Sequence, residues 1–263
     1  MQVIHYSKEK NKEHWIKKIS KSNWRAASYL VSLLREDKLQ ERYGETAELL
    51  LLVEDDDLIS FCTYAEHDEI SDRSLKPWAG FVFTFPGYRG ERRVGKLLEH
   101  VYLLAKKDGY KTLYISTEEV GLYEKYGFSY WKNMPTDFGE ESRVYRMEIK
   151  EMDYSGFLGK EVRGTVDRPL HSAHPKYKDL IYPINYGYVD GLFAGDGEEQ
   201  DAYVFGTDEP ISAFTGKIVG VIHRLNDCED KWIVSLSGEP VDPETIRRLT
   251  EFQEKYYMGE LYT

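Results

Sequence analysis

The pattern of hydrophobic residues changes near residue 152, and this change limits the chain to a fold of two parts. Before it, strand-like runs such as Trp78 to Phe85 alternate with amphipathic runs such as Arg92 to Lys107. After it, short strand-like runs follow one another, and one helix is predicted from Pro243 to about Tyr257. Alternating strands and helices are typical of an α/β sheet, whereas short strands with few helices favour a small barrel. We therefore expect a mixed α/β sheet with flanking helices, followed by a small, mostly β barrel with a C-terminal helix.

The length of the chain agrees with two domains. Its 263 residues are enough for two ordinary domains, each with its own core. We place the first domain at residues 1–151, a linker at residues 152–158 and the second domain at residues 159–263. The proposed linker is short, so we expect the two domains to be close neighbours.

Acidic residues outnumber basic ones, mainly in the second half. The formal net charge is −11, and residues 154–263 carry 11 Lys and Arg against 19 Asp and Glu. Such acidity argues against a nucleic-acid partner. No apolar run approaches the length of a membrane span, the first residues lack an apolar targeting segment, and only two cysteines occur. We expect a cytoplasmic protein that binds neither nucleic acid nor membrane.

Two groups of carboxylates mark the second half. The first group follows a run of tyrosines, and the second lies downstream next to a lysine. Carboxylates so close together repel each other unless a cation lies between them, and Mg²⁺ prefers oxygen ligands. Such groups suit a metal-dependent enzyme that acts on phosphates. The members are Asp196, Glu198 and Asp201 in the first group, and Asp227, Glu229, Asp230 and Lys231 in the second.

The run from Leu158 to Tyr257 resembles the soluble, magnesium-dependent inorganic pyrophosphatases. The resemblance rests on the NYGY strand at 185–188 and on the following D-x-D-x-x-D pattern, in which Glu198 replaces the middle aspartate. It implies an OB-like barrel that splits pyrophosphate into two phosphates. It also implies that Glu198 orients the attacking water. The implied phosphate contacts are Lys231, Tyr188 and Tyr256, and the implied Mg²⁺ ligands are Asp196, Glu198, Asp201, Asp227 and Asp230.

A basic turn between a strand and a helix marks the first half. The strand ends at Pro86, and the turn from Arg89 to Arg93 leads directly into the next amphipathic run. Backbone N–H groups and the helix dipole at such a position attract anions, and Lys96 adds charge that suits a diphosphate. A solvated, basic helix start is the alternative interpretation.

The segments YRGERRVGKLL and YISTEEVGLYEKYGF resemble the GNAT superfamily of acyl-CoA N-acyltransferases, over about residues 1–150. Arg89 fits the first position of the family's diphosphate loop, whereas Arg92 stands where glycine is usual. The resemblance implies that acetyl-CoA is the cosubstrate and that Tyr123 is the general acid that protonates the departing thiolate. The implied acetyl-CoA-binding residues are Phe83, Arg89, Gly90, Arg92, Arg93, Val94, Gly95 and Lys96.

Two roles in the first half stay open at this stage. Tyr123 is alternatively a core tyrosine on a helix face. The general base has four acidic candidates, Glu66, Asp68, Glu69 and Glu118, which are alternatively solvated loop residues. Acidic residues near the acceptor cleft would favour a cationic amine.

Together, the two resemblances imply a bifunctional fusion of an acetyl-CoA-dependent N-acetyltransferase with a magnesium-dependent inorganic pyrophosphatase. The expected partners are a small-molecule amine and pyrophosphate, and a homo-oligomer is left open. A second hypothesis keeps the acetyltransferase and makes the barrel a non-hydrolytic sensor of a phosphate ligand, or a dimerisation module.

Overall fold

The computed structural model describes residues 1–263 and divides the chain into two compact units, Met1–Lys150 and Glu151–Thr263. The predicted fold class is confirmed, since an α/β sheet with helices is followed by a barrel with a C-terminal helix. Residues 152–158, which we expected to form a linker, lie in the second unit, where Tyr154 is buried in the core. No helix combines the length and apolar composition that a membrane crossing requires.

A seven-stranded sheet with the order β1-β2-β3-β4-β5-β7-β6 forms the first unit. Neighbouring strands are antiparallel except β4 and β5, which run parallel. The strands are β1 (Gln2–His5), β2 (Glu48–Glu54), β3 (Asp57–Ala65), β4 (Trp78–Thr84), β5 (Thr112–Ser116), β6 (Ser129–Pro135) and β7 (Glu141–Glu148). The helices are α1 (Lys12–Ile19), α2 (Arg25–Arg35), α3 (Leu39–Tyr43) and α4 (Gly95–Lys107).

Strand β2 lies in the core of this unit because both of its faces are covered. Its four consecutive leucines, residues 49–52, are each 0% exposed. Leu49 and Leu51 belong to the cluster that α1 and α2 complete, whereas helix α4 contributes Leu97 and Leu98 to the buried core. A continuous apolar run, rather than an alternating one, is typical of a strand that is buried on both sides.

Helix α4 begins three residues later than predicted. We expected it to start at Arg92, but its first residue is Gly95. The reason is the backbone of Arg92, whose φ of 54° lies in the left-handed region. A residue in that region cannot continue a right-handed helix. The residues before Gly95 therefore form a turn with its own backbone geometry.

A closed barrel of five strands forms the second unit. Strand β12 pairs with β10 on one side and with β11 on the other, which closes the sheet order β12-β10-β9-β8-β11 on itself. The strands are β8 (Glu161–Arg168), β9 (Asn185–Phe193), β10 (Glu199–Phe205), β11 (Ala213–Arg224), β12 (Lys231–Ser235) and the appended β13 (Gly259–Tyr262). The C-terminal helix is α5 (Pro243–Glu254), which is capped by Asp242 through Thr245 N and ends three residues before the predicted Tyr257.

The glycine of the NYGY run, Gly187, is required by a close approach of two strands. A Cβ atom at this position would lie 1.9 Å from the carbonyl oxygen of Thr165 on β8 and 2.7 Å from the Cα atom of Val166. Both contacts are with backbone, so the side chains cannot relieve them. Any larger residue must therefore push β8 and β9 apart.

We expect Gly187→Ala to lower the free energy of unfolding of the second unit by about 3 kcal/mol, because overpacking against backbone forces a shift of the strand pair. Denaturant unfolding of the full chain measures the change. Gly156→Ala in the same unit is the matched control, since a Cβ atom there meets nothing within 4 Å. Equal unfolding midpoints for the two variants would show that the strands tolerate the extra methyl group.

Candidate active site

Strands β4 and β5 separate soon after they meet. A single residue pair, Trp78 and Tyr114, joins them in register, and Tyr114 N donates to the carbonyl oxygen of Pro77 at 3.0 Å. Beyond this point a cleft of about 840 Å³ opens, lined by residues 81–84 of β4 and 115–117 of the β5 end. The edge of β4 that faces β5 therefore has no strand partner along the cleft. An extended ligand can bind such an edge through backbone hydrogen bonds.

A bulge in β4 lies at the cleft. Phe81 and Val82 both stand opposite the single residue Cys62 of β3, because the register shifts between Thr63 and Phe61. Phe81 has a φ of 47°, in the left-handed region, which costs a residue with a side chain roughly 1–2 kcal/mol. A bulge withdraws a backbone group from the ladder. This strained site can therefore offer an N–H donor to a negative charge that develops in the cleft.

The other end of the cleft is cationic. The turn from Arg89 to Val94 lines it, with Gly90 at a φ of 92° and Arg92 at 54°. Arg89 Nε donates to the carbonyl oxygen of Thr84 at 2.9 Å, and its guanidinium lies 5.5 Å from the ring centre of Phe83. The turn leads into helix α4, whose N-terminus favours anions. These features suit the diphosphate of a nucleotide-bearing ligand.

The eight predicted acetyl-CoA-binding residues fall into two groups. Gly95 and Lys96 lie in the first turn of α4 and do not line the cleft. The other six line it: Phe83, Arg89, Gly90, Arg92, Arg93 and Val94. Arg93 also pairs with Glu91 and Glu54, so part of its charge is already balanced.

Tyr123 lines the cleft on a 3₁₀ turn, residues Tyr123–Tyr126, which Gly127 ends at a φ of 85°. Its side chain is only 5% exposed. Burial, together with the nearby Cys62 and Glu119, raises the pKa of Tyr123 well above its ordinary value. The hydroxyl therefore keeps its proton at neutral pH, which a proton donor requires.

Carboxylates line the walls of the cleft away from the arginines. Of the four predicted base candidates, Asp68, Glu69 and Glu118 line it. Glu66 does not, because its Oε1 accepts hydrogen bonds from the N and Oγ1 atoms of Thr46. Burial raises the pKa of Asp68 to about 7, although the hydrogen bond from Glu69 N lowers it; the charge of Glu69 adds to the rise, and Arg42 and Arg73 oppose it. A carboxyl group with this pKa can exchange a proton near neutral pH.

The residues of this cleft fit acetyl-CoA. A strained bulge, an unpaired strand edge and a cationic turn at a helix N-terminus follow one another along its length. These features match, in order, a thioester carbonyl, an amide-bearing arm and a diphosphate. The buried hydroxyl of Tyr123 lies in the same cleft.

In the second unit, a buried lysine lies between two carboxylates. Lys231 is 2% exposed, and its Nζ atom lies 2.5 Å from Asp201 Oδ2 and also contacts Glu229. The hydroxyl of Tyr186 donates to the same oxygen of Asp201. Burial raises the pKa of Glu229 to about 7, although Lys231 opposes the shift. The cation that these two carboxylates require is thus supplied by the chain itself.

The second predicted carboxylate group is divided between different partners. Asp230 accepts hydrogen bonds from the hydroxyl of Tyr154 and from His223 Nδ1, at 2.7 Å for the histidine. Asp227 pairs with the buried Arg224 at 3.0 Å. Asp230 directly precedes β12, and its partners Tyr154 and His223 differ from those of Lys231.

The remaining predicted residues are more exposed. Asp196 Oδ1 accepts a hydrogen bond from Glu198 N at 3.0 Å within an exposed turn. Tyr188 is half-buried on β9, and Tyr256 is exposed just after α5. The structure does not bring the five predicted Mg²⁺ ligands together, and no three His, Cys, Asp or Glu side chains form a group that could hold a metal ion. The donor set of this unit therefore does not fit Mg²⁺.

The first unit matches the acetyltransferase (GNAT) family. The family model covers residues 15–128 and confirms the resemblance inferred from the sequence. A putative acetyltransferase of the GNAT family from Desulfovibrio desulfuricans is 16% identical, and its alignment covers 57% of this chain and 99% of that one with a TM-score of 0.43. A GNAT family acetyltransferase from Elizabethkingia anophelis with acetyl-CoA bound is 22% identical over 42% of this chain and 82% of that one, with a TM-score of 0.34.

For the second unit, the comparison of solved structures gives an inorganic pyrophosphatase from Helicobacter pylori. It is 19% identical, and its alignment covers 37% of this chain and 76% of that one with a TM-score of 0.30. The comparison with curated proteins gave no match.

Sequence reasoning missed two residues of the cluster around Lys231. Glu229 was grouped with its neighbours but not assigned as a partner of Asp201, and Tyr186 was placed only in the tyrosine run. The sequence could have indicated the position of Glu229. If the alternation of β12 is extended two residues back from Lys231, residues 229 and 231 lie on the same face. Nothing in the sequence indicated the bulge of the GNAT unit at Phe81, since an aromatic residue is ordinary in a strand.

We expect Lys231→Met to lower the free energy of unfolding by about 3 kcal/mol, because it leaves the partly buried Asp201 and Glu229 without a cation. Denaturant unfolding measures this change. Lys178→Met, at an exposed position of the same unit, is the control and should change the free energy by less than about 0.5 kcal/mol. An unfolding free energy of Lys231→Met that equals the control's would show that the two carboxylates do not depend on the lysine.

Proposed function

We propose that the GNAT unit transfers an acetyl group from acetyl-CoA to the amine nitrogen of a small molecule. The observation that carries this proposal is the separation of β4 from β5, with the bulge at Phe81 and the buried Tyr123 on the same cleft. Bound acetyl-CoA supplies an activated acetyl group as a thioester, whose C–S bond breaks as the N–C bond forms. Of the two protons that an ammonium acceptor loses, one replaces the proton given to the sulfur, and the other passes to solvent.

The chain's own residues perform three tasks in this proposal. The turn at Gly90 and Arg92 holds the diphosphate, and the strand edge near Phe83 orients the arm. The backbone at Phe81 donates a hydrogen bond to the carbonyl oxygen as negative charge develops there. Tyr123 gives its proton to the departing sulfur, for which its raised pKa keeps it in the phenol form.

We expect Tyr123→Phe to lower kcat by about 100- to 10,000-fold while KM for acetyl-CoA changes little, because only proton donation is lost. Thiol release from acetyl-CoA with a panel of primary amines measures the rate, and mass spectrometry identifies the acetylated product. Tyr130→Phe, at an exposed position outside the cleft, is the control. An unchanged kcat in Tyr123→Phe would contradict the role of Tyr123 as proton donor. Folded protein that does not bind acetyl-CoA would contradict the proposed acetyl transfer itself.

For the second unit, the sequence led us to expect magnesium-dependent hydrolysis of pyrophosphate. The geometry favours the alternative, in which the barrel does not hydrolyse it and acts as a binding or dimerisation module. The supporting observation is Lys231, which pairs with Asp201 and Glu229 where two carboxylates would otherwise need a metal cation. The separate partners of Asp227 and Asp230 support the same conclusion.

We expect the purified chain to release phosphate from pyrophosphate no faster with Mg²⁺ than without it, because Asp201 and Glu229 are already paired with Lys231 and Asp227 with Arg224. Phosphate release with and without Mg²⁺, beside Asp201→Asn, measures this. Thiol release by the GNAT unit in the same preparation shows that the protein is active. Magnesium-dependent release that Asp201→Asn abolishes would establish a pyrophosphatase and overturn the proposal.

A further inference from the structure

Three separate segments meet at the acidic end of the cleft. They are the end of helix α3 at Tyr43, the loop after β3 at Asp68 and Glu69, and the loop between β6 and β7 at Thr136, all of which line the cleft. Backbone hydrogen bonds join them, since residue 67 donates to the carbonyl oxygen of Tyr43 at 3.0 Å and residue 137 donates to that of Glu69 at 2.8 Å. Their relative positions are therefore set before any ligand binds.

An ion-pair network supports the same three segments. The carboxylate of Asp137 accepts from Arg42 on α3 at 2.9 Å and from Arg73 at 2.6 Å. Both guanidinium groups are thus paired with a carboxylate that does not line the cleft. They stabilise the wall of the cleft, while Asp68 and Glu69 remain as acids on its surface.

Two hydroxyl groups at this end lack hydrogen-bond partners. The Tyr43 side chain is 3% exposed, and neither its hydroxyl nor the buried Oγ1 atom of Thr136 has a partner. The charges of Asp68 and Glu69 act on the Tyr43 hydroxyl and, after burial, contribute to the rise of its pKa. A buried hydroxyl without a partner is unfavourable, and a polar group of a ligand in the cleft would relieve this.

The carboxylate of Asp68 lies against strand β4 just before the bulge. A Cβ atom at Gly80 would be 3.1 Å from Asp68 Oδ2 and 2.8 Å from Thr63 Oγ1. Gly80 directly precedes Phe81, whose backbone we assign to the acyl carbonyl. A base at this point is next to the place where the attacking nitrogen must lie.

A second group of acids lies on the adjoining part of the cleft, where Thr136 N donates to the carbonyl oxygen of Glu140 at 2.7 Å. Strands β5 and β7 hold it together, because Ser116 and Ser142 share a hydrogen bond of 2.9 Å and Thr117 N donates to the carbonyl oxygen of Arg143. Its members all line the cleft: Glu118, Glu119, Glu140 and Glu141. The cleft thus carries two groups of acids on different segments of the chain, and each can attract one positive charge.

We infer that the acceptor is a diamine or polyamine, with its reacting nitrogen held by Tyr43, Asp68 and Thr136, and a second ammonium group held by the wall at Glu118, Glu119, Glu140 and Glu141. Asp68 takes one proton from the reacting ammonium group, which then has a lone pair for attack. This inference rests on the proposed acetyl transfer, in which Tyr123 supplies the proton to sulfur. Aromatic side chains that also line the cleft, such as Phe81 and Phe138, suit the apolar carbons of such a molecule.

The pH dependence follows from the surroundings of Asp68. Glu69 and Arg73 face it from its own loop, and Arg42 and Tyr43 face it from α3. Its pKa is about 7 in the folded protein, compared with 3.8 ordinarily, so the active carboxylate form increases as the pH rises through 7. We therefore expect kcat/KM to rise over this range, and Asp68→Asn to lack this rise.

The test compares 1,4-diaminobutane with 1-aminobutane as acceptors, by thiol release and product mass. We expect kcat/KM to be at least about tenfold higher for the diamine. Asp68→Asn should lower kcat about 100-fold or more, with partial recovery in Asp68→Glu. Tyr43→Phe should lower kcat/KM for the amine roughly tenfold without changing KM for acetyl-CoA.

A double variant tests the second wall. Glu140→Gln with Glu141→Gln should lower kcat/KM for the diamine more than for the monoamine, so that the preference for the diamine decreases. Glu148→Gln is the matched control, because it lies at the other end of β7, is exposed and pairs with Lys150. Thermal unfolding and acetyl-CoA binding show that each variant is folded.

The outcomes separate this inference from the function on which it rests. Folded protein that binds no acetyl-CoA would overturn the acetyltransferase proposal itself. Acetyl transfer with equal rates for the two amines, or a folded Asp68→Asn variant with full activity, would overturn the acceptor assignment alone. Acetyl-CoA binding without transfer to either amine would also overturn it.

Discussion

The first unit depends on a parallel pair of strands that is joined at one point only. The inner strands of most sheets are hydrogen-bonded to a neighbour along both edges. An unpaired strand edge inside a protein is unfavourable. Here Trp78 and Tyr114 hold β4 and β5 together at one end, while the rest of the sheet continues on either side. The fold therefore keeps one stretch of backbone unpaired, and that stretch lines the cleft. The cationic turn, the bulge and the acidic walls all take their positions from this gap.

In the second unit, basic side chains of the chain itself neutralise carboxylates that lie close together. Lys231 lies between Asp201 and Glu229, and Arg224 pairs with Asp227 and Glu254. Removing two charges from water is costly, and an ion pair repays that cost only with close geometry and additional hydrogen bonds. The tyrosines around these pairs supply such bonds, as Tyr203 does for Glu254 at 2.6 Å. A metal ion would have to displace an internal cation that is already well placed.

The sequence predicts most strongly what is periodic and local. The apolar positions of the run from Arg92 to Lys107 indicated a core helix, and the run from Tyr123 to Phe128 located the buried tyrosine of the cleft. The features that were missed depend on long-range approach. Whether Asp230 or Glu229 faces Asp201 depends on where β12 begins, and one residue reverses the answer. The unpaired hydroxyl of Tyr43 is defined by loops that are about 25 and 93 residues away along the chain, so no local pattern reports it.

The ring of Phe81 links two properties of the cleft. Its backbone forms the bulge, and its side chain packs edge-on against Tyr43 with 5.5 Å between ring centres. A glycine would adopt the same backbone angle with less strain but would lose that contact. A change of the cleft wall at Tyr43 would therefore also move the Phe81 backbone, which we assign to the reacting carbonyl. A substitution at Phe81 should alter both the acceptor preference and the turnover number. Directed evolution at this position should therefore select for the two properties together.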